Sequence, residues 1–319
     1  IPAVWGTEID REKLKSVAED YFEKVSVSEA GSEADFSKSG IYFTPEVTED
    51  SENLKENLEE LNRIAGRKIA IDLKGASETV GFGDFIDKEE LLKKGSADPL
   101  EARIWEYTGW LKDKYDTFEK QRDFTTHSGK KIKVGGNGDR TADTYGFIMN
   151  EEGTAFALAA ALADSEAEEM SPVWDMEGNG FDQNGSDIGD TYIEISLEEQ
   201  YLWYWKDGEV FLETPVVTGL PTAKRASPPG VYSIFYKGRN VTLRGEMDGE
   251  KWESFVNYWM SITYTMVGLH DAPWRGAGPY GYGGTVYKYN GSHGCINLPY
   301  YAEEMIYNNA GIGTCVVIY

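Results

Sequence analysis

The chain has 319 residues, 40% hydrophobic and 27% charged, with a net charge of −24. No run of about 18 apolar residues occurs in it, so no membrane-spanning helix is expected, and so negative a field argues against nucleic acid and anionic lipid as partners. The length predicts two domains. The acidity belongs to the first of them: residues 1–190 hold 22 Lys and Arg against 42 Asp and Glu, net −20, whereas residues 191–319 hold 9 against 13, net −4. The opening Ile1-Pro2, with neither a start Met nor a basic or apolar leader, is expected to follow a removed export signal or anchor.

In chain order, Leu14, Val17, Ala18, Tyr21, Phe22 and Val25 repeat at helical spacing after Asp10, an N-cap residue. A second helix is expected from Ser51, with Leu54, Leu58, Leu61 and Ala65 on one face and Gly66 as its stop. Lys68–Leu73 alternates as a strand. Asp98-Pro99 reads as the cap and first turn of a third helix presenting Ile104, Tyr107, Leu111, Tyr115 and Phe118. Lys130–Val134 is a short strand, and Thr154–Ala163 an Ala-rich helix. Asp175–Asp190 is rich in Gly, Asn and Asp without apolar periodicity and reads as a solvated linker. Its acids do not make a calcium loop, since Ser186 stands where a bidentate Glu is needed.

Beyond Thr191 the period becomes two. Ile193, Ile195 and Leu197 alternate with Glu194 and Ser196, and Lys206-Asp207-Gly208-Glu209 is a hairpin turn between Tyr201–Trp205 and Val210–Thr218. Further strands are expected at Val231–Tyr236, Val241–Arg244, Tyr258–Met266 and Cys315–Tyr319, with turns at Lys237-Gly238 and Asp248-Gly249. One helix opens near Pro299 and stops at Gly311. The expected class is α+β: an N-terminal mixed domain, 1–186, and a mostly β, sandwich-like domain, 187–319.

The segment Ser292-His293-Gly294-Cys295-Ile296-Asn297 carries the chemistry. A thiol attacks a carbonyl as its thiolate and needs a neighbouring base. Two of the chain's three histidines, His270 and His293, fall within 26 residues that end at Cys295. Glycine at 294 lets backbone N–H groups approach a developing oxyanion. Two other readings stay open: Cys295 as a small buried hydrophobe, or a zinc site from His270, His293 and Cys295, which lacks a second Cys pair at ligand spacing. The two cysteines, Cys295 and Cys315, are too few for a disulfide scaffold, and Cys315, in the apolar run Cys315–Ile318, is expected in the core. His127 lies in a turn and is assigned no chemistry.

The order His270, then 21 residues, then Ser292-His293-Gly294-Cys295-Ile296-Asn297 resembles the signature of L,D-transpeptidases of the YkuD type, with a longer intervening loop. Thr191–Ile195, Gln200–Leu202, Lys206-Asp207-Gly208, Val217-Thr218-Gly219 and Ser227-Pro228-Pro229-Gly230 are similar to the family's upstream motifs. Asp123–Thr126, Gly129, Tyr145-Gly146 and Leu61-Asn62 resemble the peptidoglycan-binding domain that often precedes this catalytic domain in Gram-positive bacteria.

The resemblance implies Cys295 as nucleophile and His270 as general base. It implies Ser292 as a hydrogen-bonding residue that orients a histidine, the N–H groups of Gly294 and Cys295 as an oxyanion hole, and His293 as an aid to substrate or charge. Asn297 stands where many relatives have Arg. Tyr258, Trp259, Trp274, Arg275 and Asn297 are candidates for binding substrate, Arg275 because stem peptides bear carboxylates. The implied partners are peptidoglycan stem peptides and carbapenem inhibitors, with no metal, no cofactor, no nucleic acid and no further protein partner.

The implied reaction forms 3-3 cross-links from a tetrapeptide donor with release of D-Ala, outside the membrane. Transfer to water would make an L,D-carboxypeptidase instead. A cysteine hydrolase of wall peptides and a catalytically silent wall-binding module are the competing classes; His270 preceding Cys295 favours the transpeptidase over the former. The insert Gly276–Gly284 is read as a mobile lid.

Overall fold

The computed structural model describes residues 9–24, 40–41, 52–94, 97–136, 143–182, 185–247, 249–276 and 281–319. The chain divides into two compact units, Ile1–Arg67 with Ile86–Ala97, and Lys68–Phe85 with Asp98–Tyr319. Among the described residues no helix is long and apolar enough to cross a membrane.

The first unit contains helices α1 (Arg11–Lys24), α2 (Glu52–Ala65) and α3 (Lys88–Lys94). Asp10 caps α1 as expected, its carboxylate accepting the backbone N–H groups of Glu12 and Lys13, each at 3.1 Å. The expected apolar face is only half-buried at Leu14, Val17, Ala18 and Tyr21, and Phe22 is exposed. Val25 and the side chain of Leu54 lie outside the described residues, and Leu58 is exposed.

The second unit begins with β1 (Lys68–Asp72) and β2 (Ser77–Gly81), an antiparallel pair in which Ile69 and Ile71 point into the core between exposed neighbours. Helix α4 (Glu101–Tyr115) starts later than Asp98-Pro99 predicts, with Leu100 at its cap and no side-chain cap bond. Strands β3 (Arg122–Thr125) and β4 (Lys131–Val134) form a hairpin. β5 (Ile148–Met149) leads into α5 (Glu151–Ala163), whose N-cap is Asn150, its side chain accepting from the Gly153 N–H. β6 (Glu169–Met170) pairs in parallel with β1, and β7 (Trp174–Met176) is antiparallel to β5.

The remainder is a sandwich. One sheet has the order β10-β9-β8-β16-β11, from β8 (Tyr192–Ser196), β9 (Tyr201–Lys206), β10 (Glu209–Pro215), β11 (Gly230–Ser233) and β16 (Cys315–Ile318). The other has the order β12-β13-β14-β15, from β12 (Tyr236–Met247), β13 (Glu250–Ser261), β14 (Gly268–Asp271) and β15 (Ile296–Leu298). Helix α6 (Tyr287–Asn290) precedes β15, and α7 (Tyr300–Asn309) follows it. Ile195, Leu202 and Ile318 from the first sheet meet Met260, Leu269 and Leu298 from the second, together with Ala302 and Ile306 of α7, in one fully buried cluster. The β9–β10 turn is as expected, with Asp207 and Gly208 both at positive φ, the conformation that a two-residue hairpin turn requires.

Three expectations are corrected. Lys237-Gly238 is not a turn, and Val241–Arg244 is not a separate strand, because β12 runs unbroken from Tyr236 and pairs with β13 along a single long hairpin. Residues Thr263–Met266 turn rather than extend, closed by bonds from the N–H groups of Met266 and Val267 to Thr263. Glu194, read as the exposed side of an alternating strand, is fully buried. It is satisfied by the Trp205 Nε1–H at 3.1 Å, the Tyr319 hydroxyl at 2.6 Å and the backbone N–H of His127 at 2.9 Å. His127 itself stacks on Trp203 with centroids 3.5 Å apart.

Asp175–Asp190 is likewise not a solvated linker. Phe181, Asp187 and Ile188 are buried. Arg122 reaches Asp187 from the β3–β4 hairpin at 2.8 Å, and the Tyr145 hydroxyl donates to the Asp187 carbonyl. Phe124, Val134, Tyr145 and Ile188 then pack on Val231, Cys315 and Val317, covering the outer face of the five-stranded sheet. Cys315 is thus in the core as expected, and both cysteines are free.

Candidate active site

β14 and β15 run in parallel with Leu269 opposite Ile296 and His270 opposite Asn297. Cys295, just ahead of β15, therefore stands beside Gly268, on the same side of the sheet as His270, because strand side chains alternate. Both residues line one cavity of about 1120 Å³ with Trp252, Met266, Trp259, Trp274, Arg275, Ser292, His293 and Asn297.

The loop that presents the sulfur is held by serines. Gly294 adopts φ +130°, outside the range of residues with a Cβ. Its carbonyl accepts from Ser227 Oγ at 2.6 Å, and Ser227 in turn accepts the Gly219 N–H. Ser292 Oγ donates to the Cys295 carbonyl and accepts the Gly294 N–H at 3.0 Å. Ser292 thus shapes the turn that carries His293 and Cys295. The Gly294 N–H is spent on that bond, which leaves the Cys295 N–H as the remaining member of the expected oxyanion pair.

The Cys295 sulfur donates towards the Met266 carbonyl at 3.6 Å. Burial pushes its pKa up to about 11, partly offset by the Gly268 N–H, so the resting group is a thiol. His270 is almost fully buried, with its ring centroid 5.9 Å from both Trp259 and Trp274. Nδ1 lies 2.8 Å from the Asp271 carbonyl, and Nε2 lies 2.9 Å from Asn297 Nδ2. Burial lowers the pKa of His270 to about 4, so the resting ring is neutral. His293 stacks flat on Trp252 of the β12–β13 hairpin, centroids 4.0 Å apart, so the hairpin roofs the cavity.

The substrate-binding candidates divide. Trp259, Trp274, Arg275 and Asn297 line the cavity; Tyr258 does not. Neighbouring positions on a strand face opposite ways, so Tyr258 points to α7, donating to Glu304 at 2.6 Å and lying against Tyr300 and Tyr307. Trp259 is buried and serves as a wall, whereas Trp274 is exposed at the mouth. Arg275 is not a solvated side chain. Its Nε donates to Asn297 Oδ1 at 2.9 Å and its NH2 to the Asn290 carbonyl at 2.8 Å, while its buried NH1 has no hydrogen-bond partner among the described residues.

Of the loop read as a lid, residues 277–280 lie outside the described residues. Its C-terminal part is tied down, the Tyr282 hydroxyl donating to the Ala272 and Leu298 carbonyls at 3.0 Å each. Sequence reasoning passed over Asp271 and Trp252, and gave Ser227 a place in a motif but no role. The carboxylate of Asp271 is fully buried and accepts the N–H groups of Asn257 and Tyr258 and the Asn257 amide, fixing β13 to β14 behind His270. An acid directly after the candidate base was the available signal.

The family model for the L,D-transpeptidase catalytic domain, YkuD, matches residues 190–318. Among solved structures, the crystal structure of the Enterococcus faecium L,D-transpeptidase C442S mutant is similar at 31% identity and TM-score 0.67, covering 83% of this chain and 100% of its own. The Ldtfm-avibactam carbamoyl enzyme is similar at the same identity and TM-score, covering 83% of this chain and 98% of its own. A search of curated proteins gave no match.

Proposed function

The chain belongs to the L,D-transpeptidase family, and we propose that it cross-links peptidoglycan stems through a thioester on Cys295. The observation that carries this reading is that Cys295, just ahead of β15, and His270, on the parallel neighbour β14, line one cavity large enough for a peptide. In the first half-reaction the thiol proton passes to His270 Nε2, and sulfur bonds to the carbonyl carbon of the third residue of a donor tetrapeptide. The C–N bond to the terminal D-Ala then breaks, and its amine takes the proton from His270. In the second, an amine of a neighbouring stem attacks the thioester and gives a proton to His270, the C–S bond breaks to leave a 3-3 cross-link, and the departing Cys295 sulfur takes that proton back from His270.

The Cys295 N–H supplies the oxyanion donor in this scheme, and the Gly294 turn aims it. Arg275, which lines the cavity, meets a stem carboxylate in this scheme, and His293 with Trp252 the stem's side chains. The resting pair of thiol and neutral imidazole is the protonation state from which the proton transfer starts. Water as acceptor would give the L,D-carboxypeptidase reaction. The avibactam adduct of Ldtfm supports acylation of Cys295 by β-lactam-like inhibitors, and by carbapenems on the same chemistry. The reaction lies outside the membrane, with the acidic segment 1–186 binding the wall beside the domain at 187–319.

Mass spectrometry of products from a purified tetrapeptide stem tests the proposal. Wild type should yield a cross-linked dimer and free D-Ala, and Cys295→Ala neither. Release of D-Ala without dimer would make hydrolysis the activity, and unchanged product with Cys295→Ala would end the thioester reading.

A further inference from the structure

The hydrogen bonds around His270 form a chain whose donors and acceptors can be ordered in only one way. A guanidinium only donates, so the atom of Asn297 that meets Arg275 Nε at 2.9 Å is the amide oxygen. The amide nitrogen then faces His270 Nε2 at 2.9 Å, and since an NH2 only donates, Nε2 must be the unprotonated nitrogen. From the other side, Nδ1 meets the carbonyl of Asp271 at 2.8 Å, and a carbonyl only accepts, so Nδ1 must carry the proton. Two independent bonds require the same tautomer. The Asn290 carbonyl holds the other end, accepting NH2 of Arg275 at 2.8 Å.

We propose that Arg275 is a positioning residue for the base: through the Asn297 amide it holds His270 neutral, with its proton on Nδ1 and the lone pair of Nε2 occupied. This deepens the reading of Cys295 and His270 as the reacting pair, and it rests on that reading only for its catalytic meaning. When Nε2 takes a proton it turns from acceptor to donor, and the Asn297 amide must rotate to present its oxygen. A rotated amide would aim its NH2 at Arg275, donor against donor, so Arg275 opposes the imidazolium by geometry as well as by charge. The groups facing the ring are Asp271 on its own strand, Asn297 on β15, Trp259 on β13, and Trp274 and Arg275 beyond β14. Arg275 is the cation among them, and its charge, like burial, lowers the pKa of the ring.

Two-bond proton–nitrogen correlation spectra of the imidazoles in the full chain test this without any stem peptide. The three histidines are assigned with His127→Gln and His293→Gln. Wild-type His270 should show the Nδ1–H neutral form at every point from about pH 8 to pH 5. In Arg275→Met, which keeps the length of the side chain but not its donors or charge, the tautomers should mix and the titration midpoint rise by about one unit or more. Asn297→Asp, whose carboxylate only accepts, should put protons on both nitrogens at neutral pH. A folded Arg275→Met whose His270 keeps the wild-type tautomer and midpoint overturns the proposal. If that variant does not fold, Asn297→Asp decides, and a ring that stays neutral beside the aspartate overturns it. A chain that shows these shifts but never acylates Cys295 would sink the function and leave this inference standing, and the reverse outcome would do the opposite.

Discussion

His270 couples the site to the stability of the fold. Its pKa is about 4 when folded, against an ordinary value of 6.5, so between those limits the unfolded chain binds a proton that the folded chain refuses. The ring's contribution is therefore complete above about pH 6.5 and is lost as the pH falls through 4, a difference of about 3 kcal/mol. Urea unfolding at pH 7 and pH 4 should show wild type losing that much more stability than His270→Gln; parallel losses would refute the burial argument. Cys295 and His270 were legible in the sequence because reactivity demands particular residue types in a particular order. Tyr258 was misread because a strand sends adjacent side chains to opposite faces, and which face meets the cavity is decided by α7, far along the chain. Asp271 was passed over because its task is to accept backbone N–H groups from a strand that only folding brings near.

At the scale of the element, α7 carries an unusual group into the core. Glu303 is fully buried, and neither carboxyl oxygen has a hydrogen-bond partner among the described residues. Burial, reinforced by the nearby Asp271 charge and opposed by Lys237, raises its pKa well above the usual carboxylate range. A group raised in this way is harmless below about pH 4.5, where both states are protonated, and costs stability as the pH rises. Glu303→Gln should therefore stabilise the chain by about 1 to 3 kcal/mol at pH 7 and by nothing at pH 4, as read by urea midpoints. An equal effect at both pH values would show that packing, not charge, decides.

The period-two pattern announced the β elements but misjudged their ends. β12 and β13 pair over their full length, although Lys237-Gly238 reads as a turn. Strand periodicity reports which side chains are apolar; it does not report that a partner strand continues. The roof of the cavity, with Trp252 on His293, comes from that hidden continuity.

Across the whole second unit, the segment expected to separate two domains helps to join its parts. Arg122 and Asp187 form a buried ion pair at 2.8 Å, with Asp143 3.7 Å from the same guanidinium. Asp143 also accepts the Val231 N–H on β11, so the pair reaches the five-stranded sheet. Gly, Asn and Asp mark absence of regular structure, and only the partner supplied from Arg122 turns that into a buried connection. Removing one member of such a pair leaves a buried charge, so Arg122→Ala should cost about 3 to 5 kcal/mol, seen as a large drop in thermal midpoint. A change within about 0.5 kcal/mol would mean that the pair is dispensable.

The account stands on the sulfur at 295 as the atom that becomes acylated. Peptide mapping after treatment with a carbapenem addresses this most directly, comparing wild type with Cys295→Ala. One covalent adduct per chain, on the peptide that contains Cys295 and missing from the variant, is the predicted result; no adduct, or an adduct elsewhere that survives the substitution, would contradict it.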